Sequence, residues 1–84
     1  MDVIKAIEFV RTKQDLADFV SHLRSDFMEN PIEWENQTLD RYFDAMESWI
    51  RVIDNYAENS GDADVRHPSW RTFAKILAAA KVYE

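Results

Sequence analysis

Trp34-Glu35-Asn36-Gln37-Thr38-Leu39-Asp40-Arg41-Tyr42-Phe43-Asp44-Ala45-Met46-Glu47-Ser48-Trp49-Ile50 is the stretch whose reading decides the fold. An aromatic residue in a turn leads into polar residues suited to a helix start, and these lead into the longest amphipathic pattern in the chain. Asn36 or Thr38 can accept a backbone N–H and begin the helix. Beyond them Leu39, Phe43, Met46, Ile50, Ile53 and Ala57 step by four and three, with Tyr42, Trp49 and Tyr56 seven apart on the adjacent strip. A stripe this wide predicts a central helix over 38–58 that touches two neighbours. Leu39, Phe43, Met46 and Ile50 are assigned to the core, and the opposite side carries much of the excess negative charge.

Upstream, Leu16, Phe19, Val20, Leu23 and Phe27 form a second stripe, opened by a loose capping box of Thr12 and Asp15. Pro31 biases Asn30 away from helical backbone angles, so this helix ends near Glu29. Residues 2–10 place Val3, Ile4, Ile7 and Val10 at helical spacing over a span short enough for a fraying helix or an edge strand. Downstream, Asn59-Ser60-Gly61 stops the long helix, with Gly61 suited to the left-handed position that follows one. The polar segment 62–68 reads as the most mobile loop. Ser69 caps a last helix whose inner stripe is Trp70, Phe73, Ala74, Leu77 and Ala80. Ala78, Ala79 and Ala80 permit close approach, and Lys75 and Lys81 stay outside. The expectation is an all-α fold, a small bundle of three main helices near 13–29, 38–58 and 70–82 with a short N-terminal helix.

Composition supports this and narrows the partners. Eighty-four residues allow one domain, 1–84. Three Trp, three Tyr and five Phe supply the bulk for a core, while one Gly and two Pro leave little material for a multi-hairpin β fold. Sixteen acids against ten bases give a net charge of −6, which repels nucleic-acid phosphate and anionic membrane and favours a basic protein partner. The absence of cysteine suits a cytoplasmic setting. Acids at residues 2 and 8 break the pattern of a signal peptide, and no apolar run approaches the ~20 residues of a membrane span. Asn36-Gln37-Thr38 matches a glycosylation sequon, but reads as helix-capping chemistry.

Catalytic chemistry finds little to build on. Asp18, His22 and Asp26 share one side of their helix and could contribute to a metal site, but one helix with no further His or Cys cluster reads as a solvated polar face. His67, beside Pro68, reads as a surface or capping residue, and no nucleophile is placed to form a dyad or triad. Asp40 with Asp44 and Asp54 with Glu58 are i,i+4 pairs that repel on an exposed helix, partly offset by Glu47 with Arg51. One glycine excludes a glycine-rich phosphate loop. The chain is read as no enzyme, with no catalytic, cofactor-binding or metal residue and no cofactor.

What remains is the acidic face. Glu33, Glu35, Asp40, Asp44 and Glu47, with Trp34 on the border between core and surface, are the candidate partner-binding residues. Trp49 and Trp70 fall within helical stripes and are assigned to the core.

The stretches W-E-N-Q-T-L-D-R-Y-F-D-A-M-E-S-W-I and P-S-W-R-T-F-A-K-I-L-A-A-A-K-V-Y-E resemble a family of small bacterial proteins of unknown function. The marks are Trp34-Glu35-Asn36, Leu39, Ala45-Met46, Trp49, Pro68-Ser69-Trp70, Phe73-Ala74 and Tyr83-Glu84, and the likeness covers residues 12–84. No catalytic residues come with it. In size, charge and style such proteins resemble immunity proteins, which implies a cytoplasmic module covering the basic active site of a cognate toxin. The alternatives are a structural or homodimeric helical protein and a nucleic-acid mimic that blocks a DNA-binding enzyme.

Overall fold

The computed structural model describes residues 3–61 and 67–83, the side chains of Tyr56 and Ser60 not among them. Segment 62–66, expected to be the most mobile loop, lies outside the described residues, as does the Tyr56 side chain of the central stripe. Every regular element described is helical. Helix α1 (Val3–Ala6) runs into a 3-10 turn at Ile7–Phe9, which resolves the N-terminal segment as helical. Helix α2 (Lys13–Glu29) is followed by a 3-10 turn at Pro31–Glu33, then by α3 (Leu39–Arg51), α4 (Ile53–Ser60) and α5 (Trp70–Val82).

Local chemistry sets the boundaries. The Thr12 hydroxyl accepts from the Asp15 N–H at 3.1 Å while the Asp15 carboxylate accepts from the Thr12 N–H at 3.2 Å, closing the capping box that starts α2. Thr38 accepts from the Arg41 N–H at 3.2 Å and Ser69 from the Thr72 N–H at 3.0 Å, so α3 and α5 start on side-chain caps. Gly61 takes the left-handed conformation at φ 74° and its N–H closes on the Ala57 carbonyl.

Two expectations about the helices themselves are corrected. The helix foreseen over 38–58 is interrupted at Val52, where φ −108° and ψ 15° leave the helical basin and the N–H donates three residues back to Trp49. Ile50, Val52 and Ile53 are β-branched and stiff at χ1, which weakens the helix at this point. The second correction concerns the centre. Helix α5, not α3, is the element on which α2, α3 and the 3-10 turn at Ile7–Phe9 all lean, while α2 and α3 make little contact with each other.

Alanine explains the exchange. Ala74, Ala78 and Ala80 are buried on α5, and their small side chains let neighbouring backbones come close. One cluster gathers Val3, Ile7, Val10, Phe19, Leu23 and Trp34 against Ala74 and Ala78. A second gathers Trp49 of α3 and Ala57 of α4 against Ile76, Ala79 and Tyr83. The molecule is 17 Å through its thinnest direction, little more than the backbones of two packed helices, about 9 Å between axes plus about 2.3 Å on each side. So thin a body covers each outer helix on one side only. The side of α3 that faces inward is Ala45 and Trp49; Leu39, Phe43 and Ile50, expected in the core, are 70%, 55% and 44% exposed. Trp70 and Phe73, also expected inside, are exposed and stack edge-on with centroids 6.1 Å apart.

Candidate functional site

The turn at Trp34–Asn36 is built as a clasp. Trp34 is 6% exposed, its ring edge-on to Phe27 at 5.1 Å and tilted over Tyr42 at 5.8 Å. Its indole Nε1 donates to Asp26 Oδ2 at 2.8 Å. The same oxygen meets Lys81 Nζ at 2.9 Å, and that ammonium also stands 5.6 Å from the centre of the Trp34 ring. Lys81, expected outside, is thus drawn in, with 16% of its side chain exposed. Asn36 takes on the end of α5. Its Nδ2 donates to Ala80 O at 2.9 Å and Tyr83 O at 2.8 Å, and its backbone N–H donates to Lys81 O at 3.2 Å. These carbonyls belong to the last turn of α5 or follow it, where intrahelical donors run out. Thr38 alone caps the start of α3, so Asn36 serves a different helix from the one its position suggested.

Electrostatics in the clasp have a direction. The hydrogen bond from Lys81 holds the Asp26 carboxyl below its ordinary value of 3.8, helped by Trp34, the Lys81 charge and Asn30 and opposed by partial burial. A carboxyl with a depressed native pKa contributes stability above its unfolded value and loses it as pH falls through the native one. Asp26→Asn is therefore expected to cost about 2 kcal/mol at neutral pH, with the gap to the parent protein narrowing below about pH 4. Urea melts of both proteins from neutral pH to acid check this; a gap independent of pH would remove the ion pair from the account. Tyr42, whose hydroxyl donates to Leu77 O at 2.8 Å, is pushed up to about 12 by burial and stays a neutral donor.

Of the candidate partner-binding residues, Glu33, Glu35, Asp40, Asp44 and Glu47 are exposed, and Trp34 is not. Trp34 is a core residue and does not project as an anchor. Asp40, Asp44 and Glu47 recur at four and three along one strip of α3, and Glu47 bonds Arg51 at 2.7 Å with both side chains mostly exposed, a weak tether. Beside this acidic strip runs the exposed apolar strip of Leu39, Phe43 and Ile50. Periodicity assigned that strip to the core and so missed it as surface. The signal for it was the stripe's width, too great for a helix with one packed side.

Between α2 and α3 lies a groove of about 390 Å³ lined by Val20, Leu23, Phe27, Trp34, Leu39 and Tyr42, with Arg24 at its α2 edge. A second cavity, about 500 Å³, opens at the start of α5 beside Arg11, Trp70, Arg71 and Phe73. A third, about 270 Å³, holds Asp15, Asp18 and His22 under the N-terminal turn. His22 is half-buried, not on a solvated face, and its Nε2 is buried without a hydrogen-bond partner. Asp18 accepts from Gln14 and Asp26 is held by Lys81, so these acids do not join His22 as a ligand set. Among the described residues no group of three or more His, Asp or Glu lies close enough to hold a metal ion.

Fold and surface together define a small all-α domain with an exposed apolar strip on α3 that runs beside exposed carboxylates. The chain belongs to a family of unknown function, DUF7660, which it matches over residues 12–84. No curated protein and no solved structure matches it. Among the described residues no helix is long and apolar enough to cross a membrane.

Proposed function

We propose that the protein is an acidic protein-binding module, most concretely a cytoplasmic immunity protein that neutralises a cognate toxin by covering a basic, nuclease-type active site. One observation carries this: Asp40, Asp44 and Glu47 are exposed in a strip beside Leu39, Phe43 and Ile50, which are exposed too. Apolar contact at the centre of an interface supplies affinity, and charge at its edge steers approach and selects the partner. Carboxylates at the spacing of α3 turns stand where a nuclease would otherwise meet phosphate. Glu33 and Glu35, exposed on the turn before α3, add to the same field.

The test is association with a basic toxin domain encoded beside this protein, followed by stopped flow over a salt series. The triple variant Asp40→Lys, Asp44→Lys, Glu47→Lys is expected to slow association by about 10- to 100-fold and to flatten its salt dependence. Circular dichroism checks that the variant keeps its helices. Unchanged association by a folded triple variant would show that the toxin does not meet this face.

A further inference from the structure

We propose that the groove between α2 and α3 receives one amphipathic helix of the partner protein, its apolar face inward and Lys or Arg along the edge that meets α3. This rests on the proposed role only in requiring a protein partner. The groove exists because α2 and α3 each lean on α5 and leave a cleft between them. Its floor is Leu23, Phe27 and Trp34, and exposed Val20 and Leu39 form the lips. The polar atoms along the floor are already engaged: the Trp34 indole with Asp26, the Tyr42 hydroxyl with Leu77, the Asn36 amide with Ala80 and Tyr83. A small polar ligand would find Arg24 and Gln37 but an engaged floor, whereas an apolar helix face would find contact surface along the whole groove.

Length and charge select the occupant further. From Leu39 the apolar surface continues through Phe43 to Ile50, about 16 Å along α3, which is three turns of a helix lying alongside. The two edges differ in sign. Exposed Arg24 stands at the α2 edge, and exposed Asp40, Asp44 and Glu47 follow the α3 side. A helix with cations on one flank and neutral or acidic residues on the other is oriented by this pattern, because reversing it sets like charges together. A second copy of this chain is a poor occupant. Two α3 helices laid antiparallel across their apolar strips bring each acidic strip against its own equivalent, between molecules that each carry −6. An anionic membrane meets the same repulsion.

The experiment uses a displayed library of peptides of about 18 residues, helical by design, with apolar i, i+3, i+4, i+7 positions fixed and both flanks randomised among Lys, Glu and Gln. Panned against the whole protein, it is expected to yield peptides with Lys enriched on one flank only. Their affinity is expected to fall at least 10-fold in Val20→Asp and in Leu39→Asp, two exposed sites, with circular dichroism checking that each variant keeps its helices. No enrichment, enrichment of Glu on both flanks, or selected peptides that bind both variants as well as the parent would each overturn the proposal. So would a concentration-dependent dimer, seen by sedimentation and dissolved by Leu39→Asp, because a second copy would then own the strip. The two readings fail separately. A toxin whose affinity drops with the triple charge reversal but not with Val20→Asp keeps the acidic face as its site and removes the groove.

Discussion

Trp34→Ala is expected to lower the unfolding free energy by about 4–5 kcal/mol, at the upper end for truncating a buried aromatic. Three losses add up there. The ring leaves a hole between Phe27 and Tyr42, the Asp26 carboxylate loses a charge-assisted donor, and the Lys81 ammonium loses the ring face it stands over. In a domain this small the melting temperature should drop by about 20 °C or more. Trp34→Phe separates the contributions. It keeps an aromatic ring but removes the Nε1 donor, so it should cost about 1–2 kcal/mol plus a packing adjustment. Urea denaturation of the three proteins decides it: a Trp34→Ala protein within about 1 kcal/mol of the parent would mean that the clasp is not what holds α2 to α5.

The second large effect is at Trp49, where alanine should cost about 3–5 kcal/mol. Its indole is buried where α3, α4 and α5 meet, against Ile53, Ala57, Ile76, Ala79 and Tyr83. The informative comparison is Leu39→Ala on the same helix. Leu39 is 70% exposed, so its truncation should change stability by no more than about 0.5 kcal/mol. Thermal melts of the pair report which side of α3 faces inward. If Leu39→Ala proved as damaging as Trp49→Ala, the apolar strip would belong to the core after all.

Those two residues also show where the sequence was legible and where it was not. Helix starts were readable because Thr12, Thr38 and Ser69 act on backbone three residues away, and the stop at Gly61 because it closes the turn before it. The all-α class followed from the stripes. Which stripe faces inward was not readable, because periodicity finds apolar residues at helical spacing whether another part of the chain or another molecule covers them. Size misled as well. Leu39 and Phe43 on α3 and Trp70 and Phe73 on α5 look like core, yet Ala74, Ala78 and Ala80 do much of the burying, since a small side chain admits a whole neighbouring helix. Asn36 reads as a local cap because its sequence neighbours start a helix; its real partners lie 44 and 47 residues ahead. The acidic strip was visible in the sequence. The apolar strip and groove beside it appeared only with the fold.

Helix α5, on which α2, α3 and the 3-10 turn at Ile7–Phe9 lean, follows all three of them in the sequence. Helices of 8 to 17 residues, such as α2, α3 and α4, are marginal alone in water, and α2 and α3 make little contact before α5 joins them. Synthesis from the N-terminus therefore produces α2 and α3 before it produces the helix on which both of them lean. Its folding should be a single late event, gated by a long loop closure that brings residues 34–36 to the end of α5. Until then Leu23, Phe27 and Trp34 have no α5 to pack beside. The Trp34–Asn36 turn and the final turn of α5 then close together, like the two ends of a buckle.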